Sequence, residues 1–492
     1  MSIGPLDTAI VAVYLLGMVA LGVWLGRGQH TAKDYLLGGR DLPWPALLIS
    51  IVATETSTVT FLSVPGLVHG DGVAGSPGDM RFLQLPLGFL LGRVIAARLL
   101  LPLYFRGELF TAYEVLQARF GPLLRGLAST IFLVMRTLAD GLRLYLTAVV
   151  LQELAGVSLP VAVLVTGTST LVYTFFGGVR AVVWTDVLQF AIYMLGALFA
   201  VWSLGAATGV LDRLPLTGEV DSHLRVFSFA FTLADGHTLW AGLIGGAFLS
   251  LGTHGVDQLV VQRYLCARSL RDAQKALVAS GVVVLLQFAL FLLLGLLLWL
   301  FYRQHPPAQP FGKGDAVFVD YLVHHMPSGV RGLVLGAVFA AAMSTLSGSL
   351  NSSASALVND ILLPLQRRTT SDARTFRQAR MATLLFGGLQ MAVGASGLGG
   401  GSVVDQVLTI ASFTTGILLG VFFLALLPGP TAPAAAIAGL LGGACLTGGL
   451  YVARDSLPEH LRIAGLWFGT VGALSTFACG AVARTWWRPA RP

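Results

Sequence analysis

Thirteen apolar stretches follow one another along almost the whole chain, at 6–26, 44–69, 82–105, 125–152, 158–176, 181–206, 238–257, 276–302, 329–358, 381–398, 404–427, 432–452 and 462–484. Each is long enough to cross a bilayer as a helix, which takes about 20 apolar residues. The intervals between them are loops; even the longest outside ones, 207–237 and 303–328, are too short for a separate soluble domain. Charged residues are 11% of the 492, against 55% hydrophobic. A water-soluble domain carries about 25% charged residues, so a soluble chain, a coiled coil and a disordered chain are excluded. The expected fold is all-α and integral to the membrane, with about 13 transmembrane helices. Fifty-nine glycines suit helices packed closely in lipid.

The net charge of +7 reads as a topology signal and not as a nucleic-acid surface. No basic residue precedes the first apolar run, and Asp7 is the only charge before or at its start. Arg27, Lys33 and Arg40 follow it, which places the N-terminus outside and argues against a cleaved signal peptide. On that assignment 18 Lys and Arg fall in cytoplasmic segments and 8 outside. Five, Arg93, Arg98, Arg125, Arg136 and Arg143, fall within spans. The C-terminus is expected in the cytoplasm, with too short a tail for a signalling output domain. The 28 Arg against 3 Lys point to a GC-rich, prokaryotic genome, and the expected location is a plasma membrane, a bacterial inner one. No nucleic acid or protein partner is expected, and Cys266, Cys445 and Cys479 form no disulfide framework.

Two spans carry interrupted patterns. The second reads ISIVATETSTVTFLSVPG (49–66) and the seventh GGAFLSLGTHGVDQ (245–258). Both are poor continuous helix. Broken backbone survives at membrane depth only where protein or a water-filled cavity satisfies it, and paired breaks point to an inverted-repeat transporter. Counting five spans from each break divides the chain. Residues 1–43 form a leading helix and loop, 44–206 the first repeat and 207–237 an extracellular loop. The second repeat is 238–428, and 429–492 holds two further helices and a cytoplasmic tail.

The ninth span holds a run of hydroxyls, AAAMSTLSGSLNSSAS (340–355), at the depth of the first break. Hydroxyls together with carbonyls freed at a helix break suit a hard cation such as sodium. Small polar residues also simply pack helices. The fourth span holds Arg136, Asp140, Arg143 and Thr147 on one face. Its net positive charge fits a substrate carboxylate at Arg136 or Arg143, or a structural Arg–Asp–Arg network. Asp186 reads as an ion relay, or as a partner of Arg180 on its own helix. Thr60, Phe61, Gln84, Ser250, Thr253 and His254 are further substrate-binding candidates, and Glu55 either caps the break or touches solute. Asn351-Ser352-Ser353 lies within a span, and His324-His325 has no metal-ligand partner at suitable spacing. No HExxH, CxxC, P-loop or nucleophile elbow is present, so neither enzyme chemistry nor an organic cofactor is expected.

Six segments carry a resemblance: KDYLLGGRDLPW (33–44), SIVATETSTVTFL (50–62), AYEVLQARFG (112–121), GGVRAVVWTDVLQ (177–189), DQLVVQRYLCAR (257–268) and AAAMSTLSGSLNSSAS (340–355). Through them the chain resembles the sodium:solute symporter family. The resemblance implies a leucine-transporter-like five-plus-five inverted repeat with extra flanking helices. It implies a sodium site made by the carbonyls of Ala53, Thr56 and Ala341 with the hydroxyls of Ser344 and Thr345. Asp186 and Ser347 match a second sodium site or exit relay of some relatives, but Gly348 stands where those place a serine. Thr60 and Ser250 depart from sugar-transporting relatives. The expected function is sodium-coupled symport of a small polar solute, an organic anion such as a carboxylate, by alternating access. Alternatives are proton coupling through Glu55, Asp140 or His254 in the same fold, and a solute-sensing membrane protein.

Overall fold

The computed structural model describes residues 4–70, 77–210, 219–307, 309–366, 371–397, 403–458 and 462–487. Arg213, Arg367, Arg368, Arg488 and Arg491, which enter the topology count, lie outside the described residues. Among those described the chain is helical, with no strand beyond an isolated bridge between Leu42 and Ala267.

Helix α1 (Pro5–Leu25) leads. The second expected span is two half-helices, α2 (Trp44–Glu55) and α3 (Thr58–Gly66). Between them Thr56 (φ −81°, ψ 93°) and Ser57 (φ −91°, ψ 173°) are extended, and the pair bends by 59°. The run of hydroxyl and β-branched residues explains the break, since such side chains lose rotamer freedom in a helix and compete for its backbone. Helices α4 (Gln84–Leu99), α5 (Pro122–Ala155) and α6 (Leu159–Thr208) follow. The second break separates α7 (Gly246–Gly255) from α8 (Gln258–Leu265). Val256 leaves the helix there, and the Asp257 side chain caps α8 by accepting from the Leu259 amide at 2.8 Å. The longer helices that follow are α9 (Leu270–Gln304), α10 (Gly314–His324), α11 (Val330–Ala356), α12 (Asp372–Ala395), α13 (Val403–Leu426), α14 (Pro433–Ala453) and α15 (Trp467–Trp486).

Eight helices among the described residues are long and apolar enough to span, or nine if α2 and α3 count as one. The expected count of thirteen is not reached on that measure, and the differences have physical causes. Expected spans 158–176 and 181–206 share the 50 residues of α6. A straight helix of that length would reach roughly 75 Å, more than twice the ~30 Å hydrocarbon core. Instead two helices meet at Gly178, at φ 53° and ψ −165°. A Cβ there would lie 2.7 Å from the Tyr35 carbonyl oxygen, so only glycine fits. The seventh span is divided at its break, and α12 opens with Asp372, Arg374 and Arg377 in place of apolar residues.

Helix α11 sits at the centre and is buried on nearly every side, as an all-round apolar or small-residue helix must be. Helix α1 is fastened to its start. The buried Asp7 carboxylate accepts from the Gly329 and Gly332 amides at 2.6 and 2.9 Å and pairs with Arg331 at 3.0 Å. These amides belong to the open first turn of α11, where a carboxylate is favoured.

Candidate ion and solute site

The first break frees carbonyls in the last turn of α2. The Ser344 hydroxyl donates to the Ala53 carbonyl at 2.8 Å and to the Ala341 carbonyl at 3.2 Å. The Thr345 hydroxyl donates to the Thr54 carbonyl at 3.0 Å and to Ala341 at 3.4 Å. Thus Ala53, Thr54, Ala341, Ser344 and Thr345 form one buried cluster of oxygens between α2 and α11. The Thr56 carbonyl has no described bond to this cluster. The Thr56 hydroxyl turns away, donating to the Val52 carbonyl at 2.8 Å and meeting the Gln287 amide of α9. Neither Thr54 nor Gln287 is among the sequence candidates.

Asp186 lies one residue from that cluster, because the Thr54 hydroxyl donates to it at 3.4 Å. Its charge partner is not Arg180, which is exposed. It is Arg263 of α8, at 3.2 Å. Ser50 donates to the same carboxylate at 2.5 Å and accepts from Arg263 Nε at 2.9 Å. Gly348 makes room for the guanidinium: a Cβ there would lie 2.5 Å from an Arg263 terminal nitrogen. Ser347 bonds within its own helix, to the Ser344 carbonyl at 3.1 Å, and has no described bond to Asp186.

Beside the first break lies a cavity of about 160 Å³. Of the sequence candidates, Thr60, Arg136, Arg143, Ser250, Thr253 and His254 line it. The rest of the wall is largely apolar, with Phe82, Phe89, Phe132 and Phe288. Three candidates lie elsewhere. Phe61 is fully buried against Phe291 and Phe318, so it is core. Gln84 donates to the carbonyls of Arg81 and His237, both at 2.9 Å, and accepts from the Ser228 amide at 3.1 Å; it ties loops together. Asp140 sits behind the wall, pairing with Arg143 and lying 3.6 Å from Arg136.

The face that reads as net positive in sequence is balanced in space. Arg136 also pairs with Asp257, the cap of α8, so two cations face two anions. Neither Arg136 Nε nor Arg143 Nε has a hydrogen-bond partner, and both atoms are sealed from solvent, so the cavity meets the outer parts of the two side chains. A second cluster was not paired by sequence reasoning. Glu55 and His254 line the cavity, and Arg93 of α4, fully buried, bonds both. The available signal was an arginine in the middle of an apolar span, a placement that demands a partner.

The sequence model of the sodium:solute symporter family matches residues 35–443. The chain belongs to the sodium:solute symporter family. It is 31% identical to the sodium/iodide cotransporter of Homo sapiens over 90% of this chain and 69% of that protein. It is 30% identical to the sodium/sialic acid symporter NanT of Aliivibrio fischeri, over 78% of this chain and 75% of that protein. Identity to the sodium-coupled monocarboxylate transporter 1 of Xenopus laevis is 27%, covering 94% and 76%. The fold is shared with a solved sodium-coupled sialic acid symporter in its outward-open state, at TM-score 0.86, 24% identity and 99% coverage of each chain. The chain is therefore a multi-pass membrane transporter and not an enzyme, and sodium is its coupling ion.

Proposed function

We propose that this symporter carries a small organic anion, a carboxylate of a few carbons, together with sodium by alternating access. The observation that carries this reading is the pair Arg136 and Arg143 on the cavity wall, whose side chains keep 11% and 15% exposure. A guanidinium in a site shielded from water binds carboxylate strongly. The relatives' names support an anion, since they specify iodide, sialic acid and monocarboxylates. The cavity of about 160 Å³ is smaller than the ~300–1,000 Å³ usual for drug-sized ligands, which suits a short carboxylate. The aromatic wall fits its alkyl end.

In the same reading the ion is held by the carbonyls of Ala53, Thr56 and Ala341 and the hydroxyls of Ser344 and Thr345. Each hydroxyl can turn its lone pairs from a carbonyl toward a cation. Ion and solute share α2 and its break, so ordering that backbone for one favours the other. Asp186 receives the ion on its way to the cytoplasm. Residues 44–206 and 238–428 form the two inverted repeats, with the N-terminus outside and the C-terminus inside.

Uptake of radiolabelled propionate, with a panel of other short carboxylates, sialic acid, iodide and a neutral polyol, into proteoliposomes tests this. An inward sodium gradient should drive accumulation of a short carboxylate above all. Accumulation of the neutral polyol alone, or of nothing on the panel, would overturn the anion assignment.

A further inference from the structure

The two helix breaks are joined by one side chain. Glu55 is the last residue of α2, and the first break follows it. His254 is the penultimate residue of α7, and the second break follows that. Arg93 lies on α4, fully buried, and reaches both. Its Nε and one terminal nitrogen donate to His254 Nε2 at 3.3 and 3.1 Å. The same terminal nitrogen is paired with the Glu55 carboxylate.

Arginine has only donors, so His254 Nε2 must accept. The imidazole proton then sits on Nδ1, which donates to the Ser250 carbonyl at 3.1 Å. In that tautomer Glu55 and His254, 3.5 Å apart, present lone pairs to each other and make no bond of their own. Arg93 is what holds them together. Helix α4 itself is pressed onto α7: a Cβ at Gly92 would lie 2.4 Å from the Ala247 carbonyl oxygen, and Ser250 donates to the Phe89 carbonyl at 2.9 Å. Displacement of the end of α2 therefore pulls on α4 and α7 through a buried ion pair, whose rupture would leave a charge unpaired in the membrane.

We infer that Arg93 is a positioning residue that couples the sodium-binding break of α2 to the cavity wall on α7. This rests on the sodium-site reading above, and sodium alone serves as the probe. The readout is the alkylation rate of Thr253→Cys, which lines the cavity, by N-ethylmaleimide. Cys266, Cys445 and Cys479 are first replaced by Ala. Rates are compared in sodium chloride and choline chloride of equal ionic strength.

With Arg93 intact, sodium should change the rate several-fold. In Arg93→Gln the ratio should fall to about one, and Arg93→Lys should restore most of it, which a loss of general packing would not allow. His254→Ala keeps the Glu55–Arg93 pair and should also lower the ratio, so the test survives if Arg93→Gln does not fold. An unchanged ratio in Arg93→Gln or His254→Ala overturns the link, as does the absence of a sodium effect with Arg93 intact. Sodium-dependent rise of the melting temperature, measured alongside, reports ion binding by itself. If that rise is absent, the sodium site falls too; if it is present while the ratio is unchanged, only the link falls.

Discussion

Arg263 of α8 lies 3.2 Å from the Asp186 carboxylate of α6, with both side chains sealed from solvent. The pair joins α8, the second half of the second broken helix, to the neighbourhood of the proposed ion site, and Ser50 of α2 bonds both members. Removing one partner of a buried ion pair costs about 3–5 kcal/mol, because the other charge is stranded. Arg263→Ala should therefore lower thermal stability sharply in detergent. Arg263→Ala with Asp186→Asn should recover a good part of the loss. Equal melting temperatures for the single and double variants would refute the pairing.

The Ser344 and Thr345 hydroxyls meet carbonyls of α2 at 2.8 and 3.0 Å. Each neutral hydrogen bond is worth about 1 kcal/mol to the fold, so Ser344→Ala with Thr345→Ala should still reach the membrane. The same change removes two oxygens from the proposed ion site. Sodium-stimulated uptake should disappear, or the sodium concentration for half-maximal uptake should rise by about tenfold or more, equivalent to ~1.4 kcal/mol. Normal sodium dependence at normal expression would dismiss these residues as ligands.

Among the described residues Arg143 pairs with Asp140, whereas Arg136 pairs with both Asp140 and Asp257. Either substitution to Ala should raise the KM for a transported carboxylate by about ten- to a hundredfold, the worth of a hydrogen bond to a charged group at ~1.5–3 kcal/mol. The sodium constant should move much less. Arg136→Ala should also cost more stability, since it strands Asp257 beside the second break. If KM stays at its wild-type value in both variants, the anion does not bind this face.

His237 lies in the loop before α7, partly buried beside Phe82. Burial pushes its pKa below the usual 6.5, against the opposing attraction of Asp235. The folded protein then binds fewer protons than the unfolded chain between the two values, so stability is full above about 6.5 and falls as pH drops through it. His325 shifts the same way. The melting temperature should decline from pH ~8 to pH ~5.5, and His237→Gln should flatten part of that slope. An unaltered slope would exclude His237 as a contributor.

Much of the site was readable before any packing was known. The two breaks, at TETSTVT and GTHGV, and the hydroxyl run of α11 depend on local composition and fall where the sequence places them. Six of the nine solute-site candidates line the cavity. Gln84 and Phe61 lie off the cavity wall; nothing local distinguishes a polar or aromatic side chain facing a cavity from one facing a neighbouring element. The two-in-one helix at Gly178 was expected as two spans, but not that the connection would shrink to one left-handed residue.

By itself, then, the sequence determined a helical membrane protein, the positions of its breaks and the residues able to offer oxygens at their depth. These follow from hydropathy and helix propensity, which belong to contiguous residues. Tertiary structure alone decided the pairing of charges. Asp186 took Arg263, 77 residues away, in place of Arg180 six residues before it. Asp257 neutralised a face that reads as positive, and Arg93 joined two breaks. A charge at membrane depth must be compensated, but which opposite charge lies within reach is set by how helices from distant parts of the chain pack.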